Sequence, residues 1–507
     1  MSSHALLVLP IAIPLATFAL TLLLRSRRSA QRAVSLGGSV ALLASAIALF
    51  AATHDGTVLA TSFGSWRAPF DIVFVADLLS AAMVLITGVM AVAVAVYSLA
   101  DGPGEPERAL LHPLYHGLLL GVVGAFLTGD VFNLYVWFEI MLIASFGLLA
   151  IDGTKRQLDA AIKYVVLNLV ATTMLLLSVG FLYGMTGTLN MADLARAVPA
   201  VENEGLVSVV AVLFLLAFGS KAAVFPLFFW LPASYHTARA PLVAIFAALL
   251  TKVGVYAVLR MFTLVFTTDA AFTGPIIGVI AAATMIIGVL GAASHYDTRR
   301  ILSFHIISQV GYMFVGLAVA TRLAIAGSIL YVIHHIVVKA NLFLIAGAMQ
   351  RAGGSFHLAR SGGLVRSAPL LAMLFAVPAL SLAGLPPMSG FWAKLVVIRS
   401  SLDAGHAALA AVALAVGLLT LYSMVKIWSE AFWRAPSDPA RSEAALAEWR
   451  GSAGRRRLML SPIAALAGIT LLIGLYTEPF VDYSLRAADQ LLTSSAYVDA
   501  VLPGGAP

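Results

Sequence analysis

One acidic residue stands well inside an apolar run of this chain, Glu139 in DVFNLYVWFEIMLIASFGLL, and lysines stand in comparable places at Lys221, Lys252, Lys339 and Lys394. Asp77, Asp130 and Glu430 lie nearer the ends of such runs. If the runs cross a membrane, a charge at their centre costs roughly 2.5 to 3.5 kcal/mol or more, so each group must be paired, neutral or in contact with water. Lysine suits reversible proton transfer there, because desolvation favours its neutral form while a nearby carboxylate favours the charged one. Movement of Glu139 toward or away from Lys221 would then load or release a proton. One pKa unit is about 1.4 kcal/mol and one charge crossing 100 mV about 2.3 kcal/mol. A swing of about two units therefore matches the voltage it works against. The competing readings are a static ion pair for Glu139 and snorkelling of the amines to the interface for Lys221, Lys252 and Lys394.

Two polar stripes accompany these residues. His305, Ser308, Gln309 and Tyr312 follow each other at i, i+3, i+4 and i+7, which is one helical face, and Tyr331, His335 and Lys339 at i, i+4 and i+8 form another, with His334 pointing aside. A polar stripe at membrane depth must face other helices or water. Both therefore suit a hydrated relay, and helix-to-helix hydrogen bonding without transport is the alternative. Asn168 and Thr172 read as glue between helices. His305 and His335 could also present axial nitrogens to a haem, which a visible spectrum tests; no cofactor is expected.

The elements that must position these groups are membrane helices. Hydrophobic residues make up 61% of the 507 and charged residues 11%, with mean hydropathy +0.97, far from the balance of a soluble domain. Apolar stretches of about 20 residues, long enough to span a bilayer, recur with short polar breaks. The predicted fold is all-α and polytopic, with about fourteen transmembrane helices in a single membrane domain over 1–507. The predicted spans include 5–24, 74–98, 207–231, 239–265, 367–398 and 407–433. The first follows an N-terminus without Lys or Arg and runs into Arg25, Arg27 and Arg28, so it reads as a retained membrane helix and not as a signal peptide. Pro226 inside the 207–231 stretch and Pro386-Pro387 inside the 367–398 stretch predict broken helices, tolerated at membrane depth where protein or water satisfies the freed backbone. Interrupted helices in matching positions mark transport sites in inverted-repeat transporters. That spacing suggests two five-helix repeats, 113–265 and 272–433, against the plainer reading of proline bends used for packing.

The chain has no cysteine, which excludes disulfides, zinc–thiolate sites and iron–sulfur clusters held by this chain. No carboxylate cluster resembling a sodium or other metal site appears in the spans. A net charge of +7 is compatible with nucleic acid until the charges are placed. Loops after odd-numbered spans hold 20 Lys and Arg, from the Arg25–Arg32 group to the Arg434–Arg457 group, and the opposite loops hold only 5: Arg67, Arg196, Arg322, Arg399 and Arg486. The positive-inside rule makes the richer side cytoplasmic and both termini external. The basic balance is thus an orientation signal, and no nucleic-acid partner is expected.

The stretch GSKAAVFPLFFWLPASYHTARAPLVAIFAALLTKVGVYAVLR (219–260), with SHYDTRRILSFHIISQVGYM (294–313) and LPPMSGFWAKL (385–395), resembles the antiporter-like subunits shared by respiratory complex I and Mrp sodium/proton antiporters. The resemblance runs over most of the chain. It implies that a glutamate and three lysines form a proton path, roles that fall on Glu139, Lys221, Lys252 and Lys394; His335 and Lys339 join them from the second polar stripe. HHIVVKANLFLIAG (334–347) is most similar to the D-type subunits of Mrp antiporters, and the chain stops too soon after its last span for the long lateral helix of the largest complex I subunit. A lysine at 394 also fits an N-type subunit of complex I, so a proton-pumping N-type or M-type subunit of complex I or of a membrane-bound hydrogenase is the alternative reading. The family implies a transporter subunit with no bond-breaking chemistry of its own, in the bacterial plasma membrane with other Mrp subunits, moving protons and sodium. Genes for such subunits next to this one, rather than for quinone or hydrogenase subunits, would separate the two readings.

Overall fold

The computed structural model describes residues 3–63, 66, 69–100 and 109–502. Among these, twelve helices are long and apolar enough to cross a membrane, and two shorter apolar helices, Leu111–Leu127 and Pro369–Ala383, fall where further spans are predicted. Arg67 and Arg108, two of the loop charges used for orientation, lie outside the described residues.

Side-chain caps explain where several helices begin. The Ser80 amide donates to Asp77 Oδ1 (2.9 Å) at the start of Leu78–Ser98, the Asn133 amide to Asp130 Oδ1 (2.6 Å) at Val131–Leu149, and the Gln157 amide to Thr154 Oγ1 (3.3 Å) at Lys155–Thr186. Each satisfies a donor that the first helical turn leaves free. Lys155–Thr186 has 32 residues, roughly 48 Å at 1.5 Å per residue, so it outruns the hydrocarbon layer of about 30 Å. It carries a strip of exposed Leu158, Ile162, Val166, Val170, Leu177 and Phe181, the surface expected to face lipid. In contrast, Ala240–Leu264 is buried at every residue after Ala240, and Thr298–Val319 and Arg322–Gly353 are nearly as buried. These three form the centre, and they carry Lys252, His305, Gln309, His335 and Lys339.

The structure departs from the predicted spans at three places. The 74–98 span begins only at Leu78, because Ile72–Ala76 is a strand pairing antiparallel with Leu59–Phe63; the β-branched IVFVA continues the apolar run of the helix behind it, so periodicity alone cannot part them. The 207–231 span is a helix Glu204–Ala222 that stops at Ala223, where φ is +63°, and a short helix Trp230–Ser234 beyond the Phe225–Pro226 bond. The 367–398 span is two helices, Pro369–Ala383 and Ser389–Asp403, parted by Gly384 at φ +88° and Pro386-Pro387. Both breaks occur at the prolines that predicted them. A further irregularity lies in Ala240–Leu264, where Phe246–Leu250 forms one π-helical turn directly before Lys252.

Candidate proton-relay site

Lys221 occupies the last turn of Glu204–Ala222, just ahead of the first break. Its Nζ donates to the backbone carbonyl of Asn168 at 3.2 Å and sits 5.8 Å from the centroid of the Phe138 ring. With Asn168, Tyr164, Trp230 and Phe138 it lines a cavity of about 10 Å³, at the lower bound for one water molecule. Glu139 follows Phe138 on Val131–Leu149, half-buried, with its Oε1 buried and without a hydrogen-bond partner. It is within electrostatic range of Lys221. The two make no ion pair, and the static-pair reading of Glu139 therefore has no bond to rest on.

Lys252 is fully buried, and its Nζ folds back into the π turn, donating to the Ala247 carbonyl (2.5 Å) and to Thr251 Oγ1 (3.2 Å). Such turns widen a helix locally and recur at functional positions. Two residues on, Gly254 lets the two lysine-bearing backbones touch, since a Cβ there would lie 2.5 Å from the Ala222 amide and 2.9 Å from the Lys221 carbonyl carbon.

The π turn packs against Arg322–Gly353, which brings the second polar stripe beside Lys252. His335 lies within electrostatic range of Lys252, Lys339, His334 and His305. Both ring nitrogens of His335 and of His305 are buried without a hydrogen-bond partner among the described residues. Buried polar atoms in native proteins nearly always have a partner, from protein or ordered water. Lys339 Nζ donates to the Leu302 carbonyl at 3.1 Å. Gln309 accepts a short hydrogen bond from Tyr331, whose ring stacks on Tyr312 at 5.0 Å, and Tyr312 donates to the Ala413 carbonyl at 2.5 Å.

Lys394 lies beyond the second break. Its Nζ donates to the Leu382 and Ala383 carbonyls, both at 3.0 Å, and sits 5.2 Å from the Tyr312 ring centroid. These are terminal carbonyls of Pro369–Ala383, and a cation there complements the negative helix end. Gly384 makes the room: it holds a left-handed φ, and a Cβ on it would come within 2.7 Å of Lys394 Cδ.

His334, off the stripe of its own helix, shares a 2.8 Å hydrogen bond with Ser389 at the start of the half-helix bearing Lys394. Asn168 and Thr172 bond within their own helix through their side chains; it is the Asn168 backbone that serves Lys221. Residue spacing gives no warning of a buried ion pair between Arg260 and Asp77 at 2.5 Å, with Tyr256 and Tyr497 facing the guanidinium. The available signal was Arg260 itself, two helical turns beyond Lys252 and fully inside the bundle. Lys426 donates to the Ala293 and His295 carbonyls at 2.7 and 2.8 Å, at the end of Ala270–Ser294.

Residues 128–420, which include all these lysines except Lys426, match the family model described as "NADH:quinone oxidoreductase/Mrp antiporter, TM". The chain is 46% identical to the D subunit of the Na(+)/H(+) antiporter of Alkalihalophilus pseudofirmus, over 98% of this chain and 99% of that one. It belongs to the family of D-type subunits of Mrp Na+/H+ antiporters. The D-type chain of the Bacillus subtilis antiporter is 39% identical over the same share of each chain. A chain in the solved Mrp complex from a Dietzia species superposes with a TM-score of 0.91 at 36% identity, covering 99% of both chains. Membership resolves the choice that Lys394 left open, in favour of an antiporter component over a component of a redox enzyme. The relatives are antiporter subunits, transporters rather than enzymes.

Proposed function

We propose that this chain carries protons through the row Lys221, Lys252, His335, Lys339 and Lys394, with Glu139 governing the charge on Lys221. The supporting observation is the way the four amines are held. Each is buried, none has a carboxylate partner among the described residues, and each is bonded mainly to backbone carbonyls. An amine held by a neutral acceptor can give up its proton to water without leaving a buried carboxylate uncompensated, which an ion-paired lysine cannot. His335, with both nitrogens unengaged, can accept on one and donate from the other, and so joins Lys252 to Lys339. Glu139 supplies negative charge near Lys221 without capturing it, so a small displacement of either changes their attraction steeply.

Residues 113–265 and 272–433 form the two repeats of this scheme, each with one broken helix. The relatives' names place them in Na+/H+ antiporters and in the Mrp complex. By extension this chain works in the plasma membrane of a bacterium with the other Mrp subunits, exchanging protons for sodium. The test is Lys252→Ala and Lys339→Ala, expressed with the companion subunits in a sodium-sensitive host. Both variants should reach the membrane at wild-type levels and lose nearly all sodium-driven proton movement in everted vesicles. Wild-type antiport by either variant would take that lysine out of the row.

A further inference from the structure

On the face that loop charge assigns to the cytoplasm, a cavity of about 450 Å³ opens between the start of Lys155–Thr186, the link before Ala240 and the start of Thr298–Val319. Arg156, Lys163 and Arg300 bring three cations to its lining, against one carboxylate, Asp159, which Lys163 already engages at 2.7 Å. Neither Arg156 nor Arg300 has a carboxylate partner among the described residues. The Arg300 guanidinium reaches His236 Nε2 at 3.4 Å. Burial, reinforced by the Arg300, Arg156 and Arg299 charges, holds the His236 imidazole down at about 4, so at neutral pH it is uncharged and accepts that hydrogen bond. Thr237 and His295 add polar groups to the lining, and the remaining residues, among them Phe229 and Phe304, are apolar. Phe229 lines the cavity with 61% of its surface exposed, and Leu158, Ile162 and Val166 continue the exposed strip away from it along Lys155–Thr186.

We propose that this cavity binds the headgroup of an anionic phospholipid, with the phosphodiester between Arg156 and Arg300 and the acyl chains along the Leu158–Ile162–Val166 strip. Excess positive charge in a pocket between helices on the cytoplasmic side attracts anionic headgroups. Guanidinium groups match phosphate oxygens in geometry as well as charge. A free phosphate would use the same two arginines but would gain nothing from the apolar strip. The lipid, in contrast, satisfies both surfaces at once.

Native mass spectrometry of the purified full-length chain, titrated with dioleoylphosphatidylglycerol or dioleoylphosphatidylcholine, tests this. The wild type should prefer phosphatidylglycerol. The double variant Arg156→Gln/Arg300→Gln should bind it about tenfold more weakly, on a scale of roughly one decade per 1.4 kcal/mol, with phosphatidylcholine binding unchanged. Arg156→Lys/Arg300→Lys, which keeps the charge, should retain most of the preference, and an unchanged melting temperature checks that all variants are folded. Equal phosphatidylglycerol binding by wild type and the Gln variant overturns the proposal. Displacement of the lipid by millimolar inorganic phosphate would make this a small-anion site and overturns it too. The chain has no cysteine of its own, so a single cysteine at Ala233 can be cross-linked in intact membranes. Capture of a neighbouring protein chain there would assign the cavity to a protein interface, a third contrary result.

Discussion

The two helix breaks hold their lysines in opposite ways. Lys221 precedes its break and reaches sideways to a carbonyl of another helix, Asn168, with Glu139 in electrostatic range. Lys394 follows its break and reaches back to the carbonyls at the end of the preceding half-helix, Leu382 and Ala383. A side-chain charge acts on the first, and backbone dipoles act on the second. A carboxylate can move and can itself be neutralised by a proton, whereas a helix end is fixed. On the proposed relay, the charge on Lys221 would then answer to Glu139, and that on Lys394 to its own backbone acceptors.

Replacing the amines themselves should have the largest effect. Lys221→Ala and Lys394→Ala are each expected to insert normally and to be inactive at every pH in vesicle assays, because each removes a carrier. Antiport by Lys394→Ala would show that the second break is only architectural. Next comes Glu139→Gln, which keeps the shape and removes the charge. Transport should collapse near neutral pH and survive in part at lower pH, where higher proton activity compensates for the lost attraction; a pH profile of antiport measures this. Combining it with Lys221→Ala should stay inactive. Recovery of assembly and transport in that double variant would mean that the two residues form a structural pair after all.

Gly384→Ala probes the other side of the comparison and should do less. The left-handed backbone costs about 1 kcal/mol for a residue with a Cβ, and the added methyl pushes Lys394 from its two carbonyls. Antiport should fall and its pH profile should be displaced, since the carbonyls that set the charge on Lys394 are lost; an undisplaced profile would contradict the dipolar setting. The smallest effect is expected from Lys426→Ala. It removes a cation from the end of Ala270–Ser294, worth about 1 kcal/mol of stability or less, and should leave antiport intact. A thermal melt alongside the vesicle assay separates the two.

The same physics decides what was legible from sequence. A lysine or glutamate in an apolar run is so costly that its presence alone marks it, and proline at membrane depth marks a break, so Glu139, Lys221, Lys252, Lys394 and both interruptions could be read directly. Partner choice could not. Asp77 and Arg260 are far apart in sequence, and Asp77 resembles any polar residue near a span end, so nothing local announces their bond. Neither could the hairpin of Leu59–Phe63 and Ile72–Ala76, whose second strand runs without a compositional break into a helix. The partner of His334 escapes because the stripe is drawn on a single helix, whereas Ser389 arrives from a half-helix whose path depends on Gly384 and the two prolines. Backbone carbonyls as lysine acceptors leave no trace in a sequence at all.

The π turn at Phe246–Leu250 acts as one inserted residue, and an insertion in a helix is a rotation. Every side chain after it is turned by about 100° relative to an uninterrupted α-helix, so Lys252, Tyr256 and Arg260 share one phase that the turn sets. Lys252 thereby lies beside His335 at mid-helix while Arg260, two turns on, meets Asp77 near the C-terminal end of the helix. Shortening the chain by one residue within 246–250 would swing all three together, so the orientation of a mid-membrane amine and the locking of the hairpin-capped end are indexed by a single slipped hydrogen-bond register.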